Sequence, residues 1–275
     1  MTGLEHIRDT FKPLADRRRA AFMPFLAAGD PDLAATSELI LAMQRSGADL
    51  LELGVPYSDP LADGPIIQDS FTRALAKDIH VADVLDAVAR ARSAGATLPV
   101  LTMVSYSLVY RYGAERYVND CLRVGVDGLI VPDLAVEESD LLRGLVERAG
   151  LALVFLVTPT TPRQRELRIL ESSTGFIYCV SVVGITGERD SLPETLTSQV
   201  RRLRSETSLP VCVGFGVSRP DQASRVGTLA DGVIVGSALV RCISQAPPGQ
   251  AVAYASQLAG SLARAVHEPQ TPRES

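Results

Sequence analysis

Short apolar segments alternate with amphipathic segments along almost the whole chain. Eight of the apolar segments are nearly continuous, a pattern typical of parallel strands that are covered on both faces. They span residues 22–28, 50–54, 98–104, 127–131, 151–157, 175–180, 209–216 and 231–236. Helical periodicity is clear between them, at residues 34–46, 81–93, 137–149 and 194–207. Strands that alternate with helices in this number predict an α/β protein, a (β/α)8 TIM barrel.

A length of 275 residues suits a single barrel domain. The main alternative is an open doubly wound sheet, but no GxGxxG motif follows the first predicted strand. We expect residues 1–245 to form the barrel together with an N-terminal helix. Residues 246–275 are expected to form a C-terminal helix and a disordered tail.

Composition narrows the class of protein further. Hydrophobic residues make up 46% of the chain and charged residues 21%, which supports a large core. The net charge of −5 and the scattered basic residues indicate no nucleic-acid partner. No signal peptide opens the chain, and no apolar run approaches the roughly 20 residues that span a bilayer. The four cysteines are far apart and form no CxxC pair, so we expect thiols in a cytoplasmic protein with no membrane partner.

Residues 50–70, LLELGVPYSDPLADGPIIQDS, carry the most informative pattern in the chain. Glu52 interrupts an apolar strand, and Asp63 lies in the turn-rich loop that follows it. A carboxylate that faces a core costs on the order of several kcal/mol unless it is solvated, hydrogen-bonded or protonated. Glu52 could instead belong to a structural ion pair, and Asp63 could stabilise a turn. No arginine falls within a predicted strand, however, and the two acids together favour acid–base catalysis.

Glycines follow the last three predicted strands, where a barrel builds its active site from loops. Gly187, Gly216 and Gly236, with Ser237, could present backbone N–H groups and a hydroxyl to an anion. Each glycine alone is equally typical of a turn. Three such loops that converge after the last strands favour a phosphate site, which is frequent at this place in the fold.

The positions of the lysines and histidines argue against several kinds of catalysis. None lies at the end of a predicted strand; they are Lys12, Lys77, His6, His80 and His267. Schiff-base chemistry, a histidine-built metal site and a Ser-His-Asp triad are therefore disfavoured. The sequence predicts acid–base catalysis by carboxylates, with no metal and no cofactor. Tyr178 could contribute, although its apolar neighbours are also typical of a core tyrosine.

Six motifs, in order along the chain, resemble the tryptophan synthase alpha subunit family. They read MPFLAAGDP (23–31), LELGVPYSDPLADGPIIQ (51–68), VPDLAVEES (131–139), GITGER (184–189), VGFGVSRPDQA (213–223) and DGVIVGSALV (231–240). The similarity extends over about residues 8–243. It implies a (β/α)8 barrel that cleaves indole-3-glycerol phosphate to indole and glyceraldehyde 3-phosphate by a retro-aldol step, in tryptophan biosynthesis.

The resemblance also implies a role for individual residues. Glu52 and Asp63 occupy the positions of the family's catalytic acids, and Tyr178 that of the tyrosine beside the glutamate. The indole pocket would be lined by Phe25, Met103 and Phe215, with Thr186 and Gly187 on the loop after the sixth strand. The phosphate would be bound by Gly187, Gly216, Gly236 and Ser237. No metal or organic cofactor is implied.

The resemblance implies a beta-subunit partner in an α2β2 complex. The chain departs from the usual family residues at Ser105 and Ser107 after the third strand, and at Ala135 after the fourth. These departures leave open an alternative, a stand-alone lyase that releases indole for specialised metabolism, while the alpha subunit remains the prediction. A non-catalytic subunit that activates a beta partner is disfavoured by the intact pair Glu52 and Asp63, and a related phosphosugar isomerase by the SDPLADGP loop.

Overall fold

The computed structural model describes residues 1–60, 64–181, 192–214 and 216–268. The strands in these ranges are β1 Ala21–Ala27, β2 Leu51–Gly54, β3 Val100–Met103, β4 Gly128–Ile130, β5 Ala152–Val154, β6 Leu156–Val157, β7 Ile177–Val180, β8 Val211–Gly214 and β9 Gly232–Val235. The helices are α1 Gly3–Asp16, α2 Leu33–Arg45, α3 Pro65–Leu75, α4 Val81–Ser93, α5 Tyr106–Tyr112, α6 Ala114–Val124, α7 Asp140–Ala149, α8 Arg163–Ser172, α9 Glu194–Glu206, α10 Pro220–Leu229, α11 Ser237–Gln245 and α12 Ala251–His267.

The strands form one parallel sheet in the order β5-β4-β3-β2-β1-β9-β8-β7-β6. The two outermost strands, β5 and β6, belong to one segment that is divided only at Phe155. β5 pairs with β4 and β6 pairs with β7, while the carbonyl of Phe155 accepts a hydrogen bond of 3.3 Å from the N–H of Tyr178. The sheet therefore closes on itself through this segment, and the predicted TIM barrel is confirmed.

The helices follow the predicted periodicity closely. α4 spans the predicted residues 81–93, α9 ends one residue before its prediction, and α2 lies one residue earlier than its prediction at both ends. The predicted helix at 137–149 is divided into a 3-10 turn, Val136–Glu138, and α7. The division occurs at Ser139, whose hydroxyl and backbone N–H both donate to the carbonyl of Val136. This local bonding is a common way for serine to compete with a helix.

Side chains on the two faces of the strands form two core layers. Leu51 and Leu53 point outward and pack with the surrounding helices. Residues on the opposite face fill the barrel, where Ile7 and Phe11 of α1 pack against them. His6 of α1 also bonds to Asp127, which immediately precedes β4, so α1 covers the amino-terminal end of the barrel. The carboxyl ends of the strands are left to form a site.

The C-terminal helix α12 packs on α2, α10, α11 and β1 through a row of small and aliphatic residues. His267 at its end bonds to Asp49, which precedes β2, at 2.7 Å. Residues 269–275, for which we predict a disordered tail, lie outside the described residues, and the division at 245–246 stays a prediction. In the described ranges, no helix combines the length and apolar character needed to cross a membrane.

Candidate active site

A cavity of about 230 Å³ lies at the carboxyl ends of the strands. In the described part of the chain it is lined by Phe25, Glu52, Gly64, Ile67, Met103, Tyr178, Gly216, Val217, Ser218, Ile234, Gly236, Ser237, Ala238 and Arg241. Five strands contribute residues to this lining, and the other residues lie in the segments that follow β2, β8 and β9. This end of a TIM barrel is where active sites are built.

Glu52 brings a carboxylate into the cavity from the middle of β2. Because successive side chains of a strand point to opposite faces, its neighbours Leu51 and Leu53 pack outward while Glu52 faces the barrel interior. Its partners in register are Phe25 on β1 and Leu101 on β3, and its side chain is only 2% exposed. An acid held among apolar neighbours next to a cavity is positioned for proton transfer to a bound molecule.

Tyr178 lies across the barrel from Glu52 and lines the same cavity. It is 5% exposed and packs with the residues that fill the barrel, so it is a core residue and a cavity residue at once. Its hydroxyl is 2.5 Å from the position that a Cβ atom on Gly214 would occupy. The tyrosine can adopt this position only because residue 214 has no side chain.

Apolar side chains form the wall near Glu52. Phe25 and Ile67 pack in one cluster with Phe71, and Met103 is in contact with that cluster. The ring of Phe25 lies over Gly54, with its Cζ atom 2.5 Å from the position of a Cβ atom there. Such a wall suits a flat aromatic group.

Backbone N–H groups converge on the other side of the cavity. Gly216 has a φ of +80°, which glycine adopts without strain, and Gly236 caps the helix α11, whose first residue is Ser237. The first N–H groups of a helix have no acceptor within the helix, and the first residues of α11, Ser237 and Ala238, line the cavity. They form a favourable place for a phosphate.

The structure places six of the predicted site residues around one cavity in addition to Glu52: Phe25, Met103, Tyr178, Gly216, Gly236 and Ser237. The remaining predicted residues, Asp63, Thr186, Gly187 and Phe215, lie outside the described residues. Their roles stay predictions. Gly64, which follows Asp63 in the chain, lines the cavity.

Sequence reasoning missed Ile67, Ile234 and Arg241. Ile67 could have been found from Gly64-Pro65, because proline at the first helical position marks a helix start directly after the loop of Asp63. Arg241 could have been found from its spacing, since it is four residues after Ser237 and so lies on the same helical face.

The thiols near the cavity are not placed for catalysis. Burial raises the pKa of Cys179, which follows Tyr178, to about 12. Burial also raises the pKa of Cys212, the register partner of Tyr178, well above its usual value. Because the thiolate is the reactive form, both side chains remain inert at neutral pH. Among the described residues, no group of three or more histidine, cysteine, aspartate or glutamate side chains could hold a metal ion.

The residues that depart from the usual family pattern lie outside the cavity lining. Ser105 caps α5, and its hydroxyl bonds to Asp133 after β4 and to the hydroxyl of Ser107, both at 2.7 Å. Asp133 also accepts a hydrogen bond from the N–H of Tyr106 at 2.8 Å. Ala135 precedes the 3-10 turn. These contacts join the segments after β3 and β4, and none of the three departing residues lines the cavity.

Comparison with known proteins agrees with the site. The model of the family described as "Tryptophan synthase alpha chain" matches residues 11–267. The tryptophan synthase alpha chain of Rhodopirellula baltica is 47% identical over 90% of this chain and 88% of its own length, and that of Gloeobacter violaceus is 45% identical over 94% of each. The solved alpha subunit of Legionella pneumophila aligns with a TM-score of 0.88 at 34% identity, over 97% of this chain and 98% of its own. The chain belongs to the tryptophan synthase alpha chain family.

Proposed function

We propose that this chain cleaves indole-3-glycerol phosphate to indole and glyceraldehyde 3-phosphate, as the alpha subunit of a tryptophan synthase. The observation that carries the proposal is the arrangement of one cavity. It joins a buried carboxylate, an apolar wall and a set of helix-terminal N–H groups, which match the reacting carbon, the indole ring and the phosphate.

The chemistry requires that indole C3 gain a proton so that the ring can accept the electrons of the breaking carbon–carbon bond. We assign to Glu52 the delivery of this proton and the later removal of the proton from the adjacent glycerol hydroxyl. The hydroxyl carbon becomes the aldehyde, the bond electrons return to the ring, and the protons balance. A single acid can perform both transfers, because the proton that it takes from the hydroxyl replaces the proton that it gave to indole C3.

Asp63 and Tyr178 support this step. A carboxylate at Asp63 would accept the indole N–H and stabilise the positive charge that develops on the ring. The phenol of Tyr178 lines the cavity and would position the substrate against Glu52. We assign no metal and no organic cofactor to the reaction, because proton transfers alone balance it.

We propose that the chain binds a beta subunit in an α2β2 complex. Its relatives are alpha chains of tryptophan synthase, and the structure of the Mycobacterium tuberculosis tryptophan synthase aligns with a TM-score of 0.86 at 35% identity, over 95% of this chain and 98% of its own. A beta subunit would complete loop closure over the substrate, which excludes water and aligns the catalytic groups. We place the protein in the cytoplasm, an assignment supported by its four free cysteines.

The test is direct. Purified protein is incubated with indole-3-glycerol phosphate, without added metal or pyridoxal phosphate, and indole is measured. We expect indole in amounts equal to the glyceraldehyde 3-phosphate formed. Absence of indole, both alone and with a beta subunit, contradicts the proposal.

A further inference from the structure

Arg241 is the only cationic side chain among the described residues that line the cavity, and the proposed mechanism does not use it. It lies on α11, four residues after Ser237. Its carbonyl accepts a hydrogen bond of 3.0 Å from Ser244. Its guanidinium has no hydrogen bond or ion pair with another residue in the described ranges.

The stability of α11 does not explain this charge. Arg241 is the fifth residue of a nine-residue helix, and the last turn contains no basic residue. A cation stabilises a helix near its carboxyl end, where the macrodipole is negative, and this effect is confined to the last turn. The macrodipole of α11 therefore does not account for Arg241, and its exposed guanidinium is available to a partner outside the helix.

The geometry of the helix directs Arg241 toward the phosphate end of the cavity. Residues four apart lie on one face, with their Cβ atoms about 6 Å from each other. The Cα–Cβ bonds of a helix tilt toward its amino end, so the side chain of Arg241 leans toward Gly236 and Ser237. Glu52 is on β2, two strands away from β9, which is about 10 Å at ordinary strand spacing. The cavity thus carries an acid on one side and a cation on the other.

We propose that Arg241 is a specificity-determining residue that pairs with the phosphate of the substrate and makes the site select phosphorylated indole glycerol. The inference rests on the proposed function. A guanidinium presents paired N–H donors that match two oxygens of a phosphate. The phosphate does not change during the reaction, so the contact is equal in the ground state and the transition state. Arg241 therefore acts on KM and leaves kcat nearly constant.

The test compares Arg241→Gln with Arg241→Lys and with Arg264→Gln, which removes the same charge from the neighbouring helix α12 outside the cavity lining. We expect Arg241→Gln to raise KM for indole-3-glycerol phosphate at least about tenfold, equivalent to about 1.4 kcal/mol, with kcat within about threefold. For indole-3-glycerol, which lacks the phosphate, the variant and the wild type should have equal kcat/KM. Arg241→Lys should recover part of the loss because it keeps the charge.

Inorganic phosphate serves as a probe that needs no turnover. We expect it to compete with the substrate and to raise the melting temperature of the wild type and of Arg264→Gln, with an affinity at least about tenfold weaker for Arg241→Gln. The proposal is overturned if both KM and phosphate affinity of Arg241→Gln stay within about twofold of the wild type, or if Arg264→Gln weakens them equally. If the wild type releases no indole, the proposed function fails, while the phosphate titrations still decide the role of Arg241.

Discussion

Gly214→Ala should lower activity, although it replaces no residue that is proposed to react. A Cβ atom at residue 214 would be 2.5 Å from the hydroxyl oxygen of Tyr178 and 2.7 and 2.8 Å from two ring carbons. Ordinary contacts are about 3.5 Å, so the ring must move by about 1 Å. Tyr178 is packed among core residues on its other sides, and the adjacent free space is the substrate cavity. The ring is therefore displaced into the place of the substrate.

The expected losses of activity and of stability follow from two known effects. A displacement of about 1 Å at a positioning residue can cost about 10²-fold in rate. Overpacking of a core costs about 1–3 kcal/mol, which lowers the melting temperature by about 2–5 °C in a chain of this size. We expect kcat/KM for indole-3-glycerol phosphate to fall at least about 10-fold while the protein stays folded, as measured by indole release and thermal unfolding.

A double-mutant cycle shows whether the loss of stability arises from the clash with Tyr178. If the clash acts through Tyr178, Gly214→Ala should cost much less stability when Tyr178 is already replaced by alanine. The expected coupling is at least about 1 kcal/mol, within the range seen for residues in contact. Equal destabilisation in both backgrounds, or full activity of Gly214→Ala, would refute the reasoning. Gly260→Ala in α12 is the control for the loss of a glycine, because a Cβ atom there would make only an ordinary contact of 3.7 Å and its φ is not positive.

Four further predictions concern the acids and the partner. Glu52→Gln should lower kcat at least about 10²-fold in the indole assay, the usual size of a general acid–base contribution, and near-normal turnover would contradict its role. Asp63→Asn should lower kcat by about the same factor through lost charge stabilisation, whereas Tyr178→Phe should stay within about tenfold of the wild type. A cognate beta subunit should raise kcat/KM about tenfold or more; high activity alone with no increase would identify a stand-alone lyase. Burial opposes ionisation of Glu166, but hydrogen bonds from Arg202 and Arg163 lower its pKa below the usual value. The ionised side chain therefore stabilises the fold above about pH 4.5, and this stabilisation is lost as the pH falls through the folded pKa. Glu166→Gln should therefore be less stable than the wild type at pH 7, by about 1–2 kcal/mol, and the difference in melting temperature should shrink in acid.

The sequence predicted the strands well because a parallel barrel buries both faces of each strand. Continuous apolar runs are then visible without knowledge of the tertiary structure. Glu52 was predicted for the same reason, since a charge inside such a run has few structural explanations. The sequence allows Tyr178 to be either a core residue or a site residue, because its neighbours Ile177 and Cys179 are apolar. The structure shows that it is buried in the core and also lines the cavity.

Residues on helices were harder to predict than residues on strands. Ile67 and Arg241 lie on helices that begin after the barrel strands, and their direction depends on how each helix packs against the sheet. An amphipathic pattern marks the buried face of a helix but does not reveal which end of it borders a cavity. The division of the predicted helix at Ser139 depends on a single side-chain hydrogen bond, which periodicity does not register.

Two glycines show a further limit of sequence reasoning. Gly54 and Gly214 each end a barrel strand, and the sequence predicts only that they belong to it, yet each leaves space for an aromatic ring of the cavity, Phe25 in one case and Tyr178 in the other. The requirement is tertiary, because in both cases the ring comes from the neighbouring strand and not from the glycine's own strand. The two glycines therefore act on the shape of the substrate site without contributing a side chain to it. Their loss should alter activity through the position of an aromatic ring, which is why the coupling between residues 214 and 178 tests the site more sharply than either substitution alone.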